Sequence, residues 1–212
     1  MTIKIILFDF DGTIADTHQM SIDIANQMAQ EFHYNPISQK DFEELKNLSS
    51  RDVLLSSGVS PLKVPFLLRR FMQELGKHVQ DLRPIQGIPN CLRYLKEDGY
   101  SLGIISSNLK DNMVAFLANN HLDDYIDFIY SSPSLFGKHR IINKVMREKQ
   151  VRPSEVVYIG DETRDINSAK KSKIKVIAVG WGFNSPKILE QYEPDFLIFN
   201  PEELPKLIRN IT

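Results

Sequence analysis

Six short apolar runs, "IKIILF", "YSLGIIS", "YIDFIYS", "EVVYIG", "IKVIAVG" and "DFLIF", recur along the chain, and stretches with helical periodicity separate most of them. Continuous runs rich in Ile and Val suit strands covered on both faces. Their alternation with helical segments predicts an α/β fold, a Rossmann-like parallel sheet wrapped by helices. Over residues 87–98, Ile88, Cys91, Leu92 and Leu95 share one helical face, and Gly99 supplies a C-terminal stop before a strand at 101–106. The arrangement returns as a helix at 141–151 before a strand at 155–159, and a helix at 166–172 before a strand at 174–179. These are βαβ units.

The interval from Thr17 to about Leu82 breaks this rhythm, with no convincing strand. Met20, Ile24 and Met28, joined by Ile22, Ala25, Ala29 and Phe32, form a broad apolar helical face with Asp16 or Thr17 as its cap. "NPIS", "SSR" and "GVSPLKVP" then punctuate the segment. A structureless connection of this length is uncommon in a compact domain, so about four helices are expected here. The predicted division is a core of residues 1–15 and 83–212 and a small all-helical insertion, residues 16–82, after the first strand.

A chain of 212 residues suits one main domain with a modest insertion. Twenty-six basic against twenty-seven acidic side chains leave a net charge of −1, which argues against nucleic-acid and anionic-membrane partners. The basic stretch "KKSKIK" straddles a helix end and a strand start, where cations suit the helix dipole. No stretch approaches the ~20 apolar residues of a membrane span. A single cysteine, Cys91, excludes an internal disulfide, and the first apolar run ends too early, at Asp9 and Asp11, for a secretory segment. A cytoplasmic location is the expectation.

In an open α/β sheet, ligands bind beyond the carboxyl ends of the strands. The first strand runs out into "DFDGT", with Asp9 and Asp11; the 101–106 strand ends in Ser106-Ser107-Asn108; the 155–159 strand ends in "GDETRD", with Asp161 and Asp165. Asp11-Gly12 between apolar residues is also a hairpin signal. Only Ile14 and Ala15 follow as a second arm, however, and the arms would be badly mismatched. Clustered carboxylates raise one another's pKa unless a cation neutralises them. Magnesium, a hard ion completed by substrate phosphate oxygens, is the expected cofactor, and a small phosphorylated metabolite the expected partner. One aspartate could then attack phosphorus, and the other could protonate the leaving alcohol and later deprotonate water. Lys138, in "LFGKHR", could balance phosphate charge from the next helix start.

Taken in order, "DFDGT" with Ile14-Ala15-Asp16, the serine-asparagine pair after an apolar strand, the lysine and "GDETRD" resemble the four motifs of the haloacid dehalogenase superfamily of phosphatases. The resemblance covers nearly the whole chain and implies Asp9 as nucleophile and magnesium ligand. It implies Asp11 as general acid/base, bound to the metal through its backbone carbonyl, and Asp161 as the third protein ligand. Asp165 would orient water or Asp161. Ser107, with Asn108 beside it and Ser106 as the alternative, would bind the transferring phosphate together with Lys138. Gly12 would let backbone amides approach the phosphate.

The helical insertion matches the family's mobile cap, and Lys46 and Arg51 in "LKNLSSRDVL" are candidates to meet a substrate anion or to lie on a solvated face. Trp181 and Phe183 in "VGWGFN" could line the entrance or simply pack. The phosphoglycolate phosphatase type is most resembled, though this chain has Lys138-His139 where that type usually has Lys-Pro. The resulting expectation is a magnesium-dependent phosphohydrolase, monomer or homodimer. A sugar phosphomutase or a non-catalytic phosphate- or metal-binding module on the same scaffold is the alternative.

Overall fold

The computed structural model describes residues 2–60, 62–131 and 137–211. Pro61, in the punctuation of the insertion, and Leu135 and Phe136, ahead of Lys138, lie outside the described residues. The chain runs β1 (Ile5–Phe8), β2 (Ala15–Asp16), α1 (His18–Phe32), α2 (Gln39–Leu45), α3 (Ser50–Ser56), α4 (Val64–Lys77) and β3 (Arg83–Pro84). It continues through α5 (Ile88–Glu97), β4 (Ser101–Ser106), α6 (Lys110–Asn119), β5 (Phe128–Ser131), α7 (Lys138–Glu148) and β6 (Val156–Gly160). Then come α8 (Thr163–Lys171), β7 (Lys175–Val179), α9 (Pro186–Gln191), β8 (Phe196–Ile198) and α10 (Glu203–Ile211).

Six strands form one parallel sheet in the order β5-β4-β1-β6-β7-β8, the Rossmann-like α/β architecture read from the apolar runs. The sheet is sandwiched because β1 is apolar at every position: Ile6 and Phe8 pack into one layer, Ile5 and Leu7 into the other. All four are at most 3% exposed, and each such side chain is worth roughly 1.5–3 kcal/mol of transfer free energy. Strand order reverses across β1, the place where the loops of an open sheet diverge and leave a crevice.

Helices α1 to α4 fill the interval between β2 and β3, which pair antiparallel and bring the two ends of the insertion together. Asp16 is thereby corrected: it ends β2, paired with Arg83, and does not cap α1. Thr17 occupies the cap position without a side-chain cap bond. The turn after β1 is not a hairpin, since β1 pairs only with parallel β4 and β6. Helices α7 and α8 begin three residues earlier than their apolar periodicity, at Lys138 and Thr163, because their first turns are polar, with Lys138, Thr163 and Asp165 buried at the sheet edge.

Candidate active site

The ends of β1, β4 and β6 and the starts of α7 and α8 converge on one edge of the sheet, and the chemistry-bearing residues converge with them. β1 stops at Phe8 and leaves Asp9 in the interior, 1% exposed. Asp9 Oδ1 accepts the Phe10 N–H at 2.8 Å. Its Oδ2 lies 2.6 Å from Lys138 Nζ yet has no aligned hydrogen-bond donor among the described residues. Lys138, the first residue of α7, is equally buried and also donates to Asp165 Oδ1 at 2.6 Å. The ammonium thus lies between two carboxylates. Burial alone would raise the Asp9 pKa, but the Lys138 and Arg164 charges outweigh it and hold the carboxyl below its ordinary range.

Asp11 lies two residues on, with Asn108 Nδ2 donating to its two oxygens at 3.1 and 3.2 Å and the Ser106 hydroxyl 3.5 Å away. Burial, then the Asp9 charge, push its pKa up to about 7. A carboxyl titrating there can both give and take a proton near neutrality. Ser107 is buried at the end of β4 with its hydroxyl 3.5 Å from Arg164 Nη1, and Asn108 turns towards Asp11.

Asp161 follows β6 fully buried, its Oδ1 accepting the Thr13 hydroxyl at 2.6 Å and its Oδ2 the Phe183 N–H at 2.7 Å. Burial, then the Glu162 and Asp9 charges, raise its pKa well above the usual carboxylate range. Two glycines make room for it. A Cβ on Gly12, whose φ is +73°, would sit 2.5 Å from Asp161 Oδ2, and one on Gly182 would sit 2.0 Å from Asp161 Cβ. Asp165, raised to about 7 by burial, also accepts the Glu162 N–H at 3.2 Å and so caps α8 while holding Lys138.

Two residues of "GDETRD" escaped the sequence reading. Arg164, its side chain 10% exposed, reaches Glu162 Oε1 at 2.5 Å, and its Nε has no partner among the described residues. Glu162 in turn accepts the Ser50 hydroxyl of α3 at 2.6 Å, tying the insertion to the site. Their only signal was position, on the turn entering α8. Lys46 and Arg51 do not join the cluster: Lys46 Nζ lies 3.6 Å from Glu43, and Arg51 is exposed. The Lys46 carbonyl accepts the Ser185 N–H at 2.8 Å, so this stretch of the insertion rests on the loop after β7. Between them lies a cavity of about 400 Å³ lined by Asp16, His18, Phe42, Lys46, Trp181 and Gly182, among others. Trp181 Nε1 donates to Thr13 O at 3.3 Å, and the Phe183 ring lies 4.5 Å from that of His18.

The donor set fits a hard divalent cation. Asp9, Asp161 and Asp165 bring carboxylate oxygens within 4.8 Å of one another, and the buried Asp9 Oδ2 lacks an aligned donor. With Asp11 and Glu162, five carboxylates face the two cations Lys138 and Arg164.

A parallel sheet that gathers buried carboxylates and a lysine at its switch point has the form of an α/β enzyme with its site at that sheet edge. The family model of the haloacid dehalogenase-like hydrolases matches residues 6–179, and the chain belongs to that family. It is 34% identical over 199 residues to a phosphoglycolate phosphatase of Synechococcus elongatus, covering 94% of each chain. It is 23% identical to the pyrophosphatase PpaX of Bacillus cereus, over 100% of this chain and 99% of the other. The crystal structure of a predicted phosphatase from Clostridium acetobutylicum superposes with a TM-score of 0.85 at 20% identity, covering 99% of this chain and 100% of that one. No helix among the described residues is long and apolar enough to cross a membrane.

Proposed function

We propose that this chain is a magnesium-dependent cytoplasmic phosphatase that cleaves a small phosphomonoester through an aspartyl phosphate, with phosphoglycolate the first candidate. The observation that carries the reading is the buried row of Asp9, Lys138 and Asp165, 2.6 Å apart at each step, with Asp11 beside it. Asp9 is the nucleophile. Its carboxylate, kept ionised by Lys138 and Arg164, forms the new bond to phosphorus as the bond to the leaving oxygen breaks. Asp11 gives its proton to that oxygen, so the product departs as an alcohol. In the second half, Asp11 takes a proton from water, the water oxygen bonds to phosphorus, and the Asp9 carboxylate leaves with phosphate freed.

Ser107, with Asn108 beside it, binds the phosphoryl oxygens, and Lys138 neutralises their charge. Asp9, Asp161 and the backbone of Asp11 would hold magnesium, with Asp165 as a further carboxylate behind them, and the ion would supply positive charge to the phosphoryl group. Residues 16–82 act as a cap over the core of residues 1–15 and 83–212, excluding water as they close. The assay is phosphate release from a panel containing phosphoglycolate, pyrophosphate and small sugar phosphates, with magnesium, with chelator, and with Asp9→Asn. Release that needs magnesium and disappears in Asp9→Asn supports the reading. Turnover that survives in Asp9→Asn overturns the nucleophile assignment, and phosphate migration without release points to a mutase.

A further inference from the structure

Asn112 lies in the first turn of α6, outside every motif discussed above. Its side-chain amide donates to the Met72 carbonyl on α4 of the insertion at 2.8 Å and to Asn108 Oδ1 at 2.9 Å. Asn108 Oδ1 also accepts the Leu109 N–H at 2.8 Å. With two donors on its oxygen, the fully buried Asn108 amide has one orientation left, and its NH₂ must face Asp11. A flipped Asn108 would set its oxygen against the Asp11 carboxyl and its NH₂ against two donors.

Gly76 gives a second, independent sign that this contact is built. It lies within α4 on ordinary helical backbone, outside the left-handed region, so no turn requires a glycine there. Helices favour almost any other residue but proline. A Cβ at Gly76, however, would fall 2.5 Å from Asn112 Oδ1. The close approach of α4 to Asn112 is what calls for the glycine.

We infer that Asn112 is a positioning residue: it locks Asn108 so that Asp11 is held in the orientation from which it protonates the leaving group, and it ties that orientation to α4 of the insertion. The inference rests on the acid role proposed for Asp11. Its test separates the two, because protonation matters for a poor leaving group and hardly at all for a good one.

The measurement is kcat/KM, which reports the steps through phosphoryl transfer, for substituted phenyl phosphates of graded leaving-group basicity. The full chain is used with magnesium present, and thermal melts check the fold. For Asn112→Ala, the most basic leaving group should lose on the order of 10–100-fold while the least basic stays within about twofold, part of the ~10²–10⁴ a positioned acid supplies. Gly76→Ala should steepen the dependence in the same direction by pushing on the Asn112 amide without removing any polar group, and it decides the matter if Asn112→Ala does not fold. A uniform loss, or a wild-type dependence in folded variants, overturns the role of Asn112. Asp11→Asn with a wild-type dependence overturns the acid assignment and the inference with it, whereas a steep Asp11→Asn beside an unchanged Asn112→Ala overturns the inference alone.

Discussion

Gly182→Ala adds one methyl group in the loop after β7, far in sequence from the carboxylate it should disturb. The added Cβ would lie 2.0 Å from Asp161 Cβ and 2.3 Å from its Oδ2, where real contacts stay beyond 3.0 Å, so something must move by about 1 Å. Asp161 resists, since Thr13 and the Phe183 amide hold its two oxygens at 2.6 and 2.7 Å. Overpacking of this kind costs about 1–3 kcal/mol, which for a chain of this size lowers Tm by roughly 2–12 °C. A displacement near 1 Å in a site of this kind costs about 10²-fold in rate.

The control is Gly180→Ala, whose Cβ meets the Phe199 ring at 2.9 Å. Phe199 is 53% exposed and free to swing outwards. Thermal melts and kcat/KM on the best substrate of the panel compare the two variants. Wild-type stability and activity in Gly182→Ala, or an equal loss in Gly180→Ala, would refute the argument that Asp161 is set by the space Gly182 leaves.

Lys138→Met removes the cation between Asp9 and Asp165 and leaves two buried carboxylates facing one another, so stability should drop by about 3–5 kcal/mol at neutral pH. Melts repeated at lower pH should recover part of that loss as the carboxylates protonate; a deficit independent of pH would show that packing, not charge, was lost. Glu155, buried away from the site, offers the opposite sign. Hydrogen bonds from Lys4 and then from the Arg152 N–H lower its pKa from 4.5 to about 2. Its stabilisation is therefore complete above pH 4.5 and lost as pH falls towards 2, so Glu155→Gln should flatten the acid limb of a stability profile within that window and nowhere else.

The six strands of the parallel sheet were legible as apolar runs, most clearly β1, β4, β6 and β7, because a strand buried on both faces must be apolar nearly throughout; the two-residue β2 and β3 carry no such run and were not legible. Element edges were less legible where chemistry replaced periodicity. Helices α7 and α8 begin at Lys138 and Thr163, yet their apolar pattern begins at Ile141 and Ile166, because the first turn of each is polar and gives Lys138 and Asp165 to the site. Asp16 misled for a related reason: an acidic residue before a helical run is a good cap by local rules, but pairing with Arg83 across the base of the insertion outweighs them. Asp9, Asp11, Asp161 and Asp165 could be read off because motif spacing places them at strand ends. Glu162, Arg164 and Asn112 could not, since their significance lies in contacts with Ser50, Ser107 and Met72 that only the fold brings within reach.

These long-range contacts also bear on how the insertion and the site communicate. Glu162 links Arg164 to Ser50 of α3, Asn112 links Asn108 to Met72 of α4, and Asn184 Nδ2 donates to the carbonyls of Lys46 and Leu48 while its Oδ1 accepts the Thr163 N–H. Each link joins the insertion to a residue adjoining a carboxylate of the cluster, and each uses a side chain on the core. Opening the insertion would break the bonds to Ser50, Met72, Lys46 and Leu48 together and leave Glu162, Asn112 and Asn184 each without its partner on the insertion. Under the acid role proposed for Asp11, that arrangement would couple the residues around the acid to enclosure of the substrate, because the same contacts that would close the insertion also reach Asn112 beside Asn108.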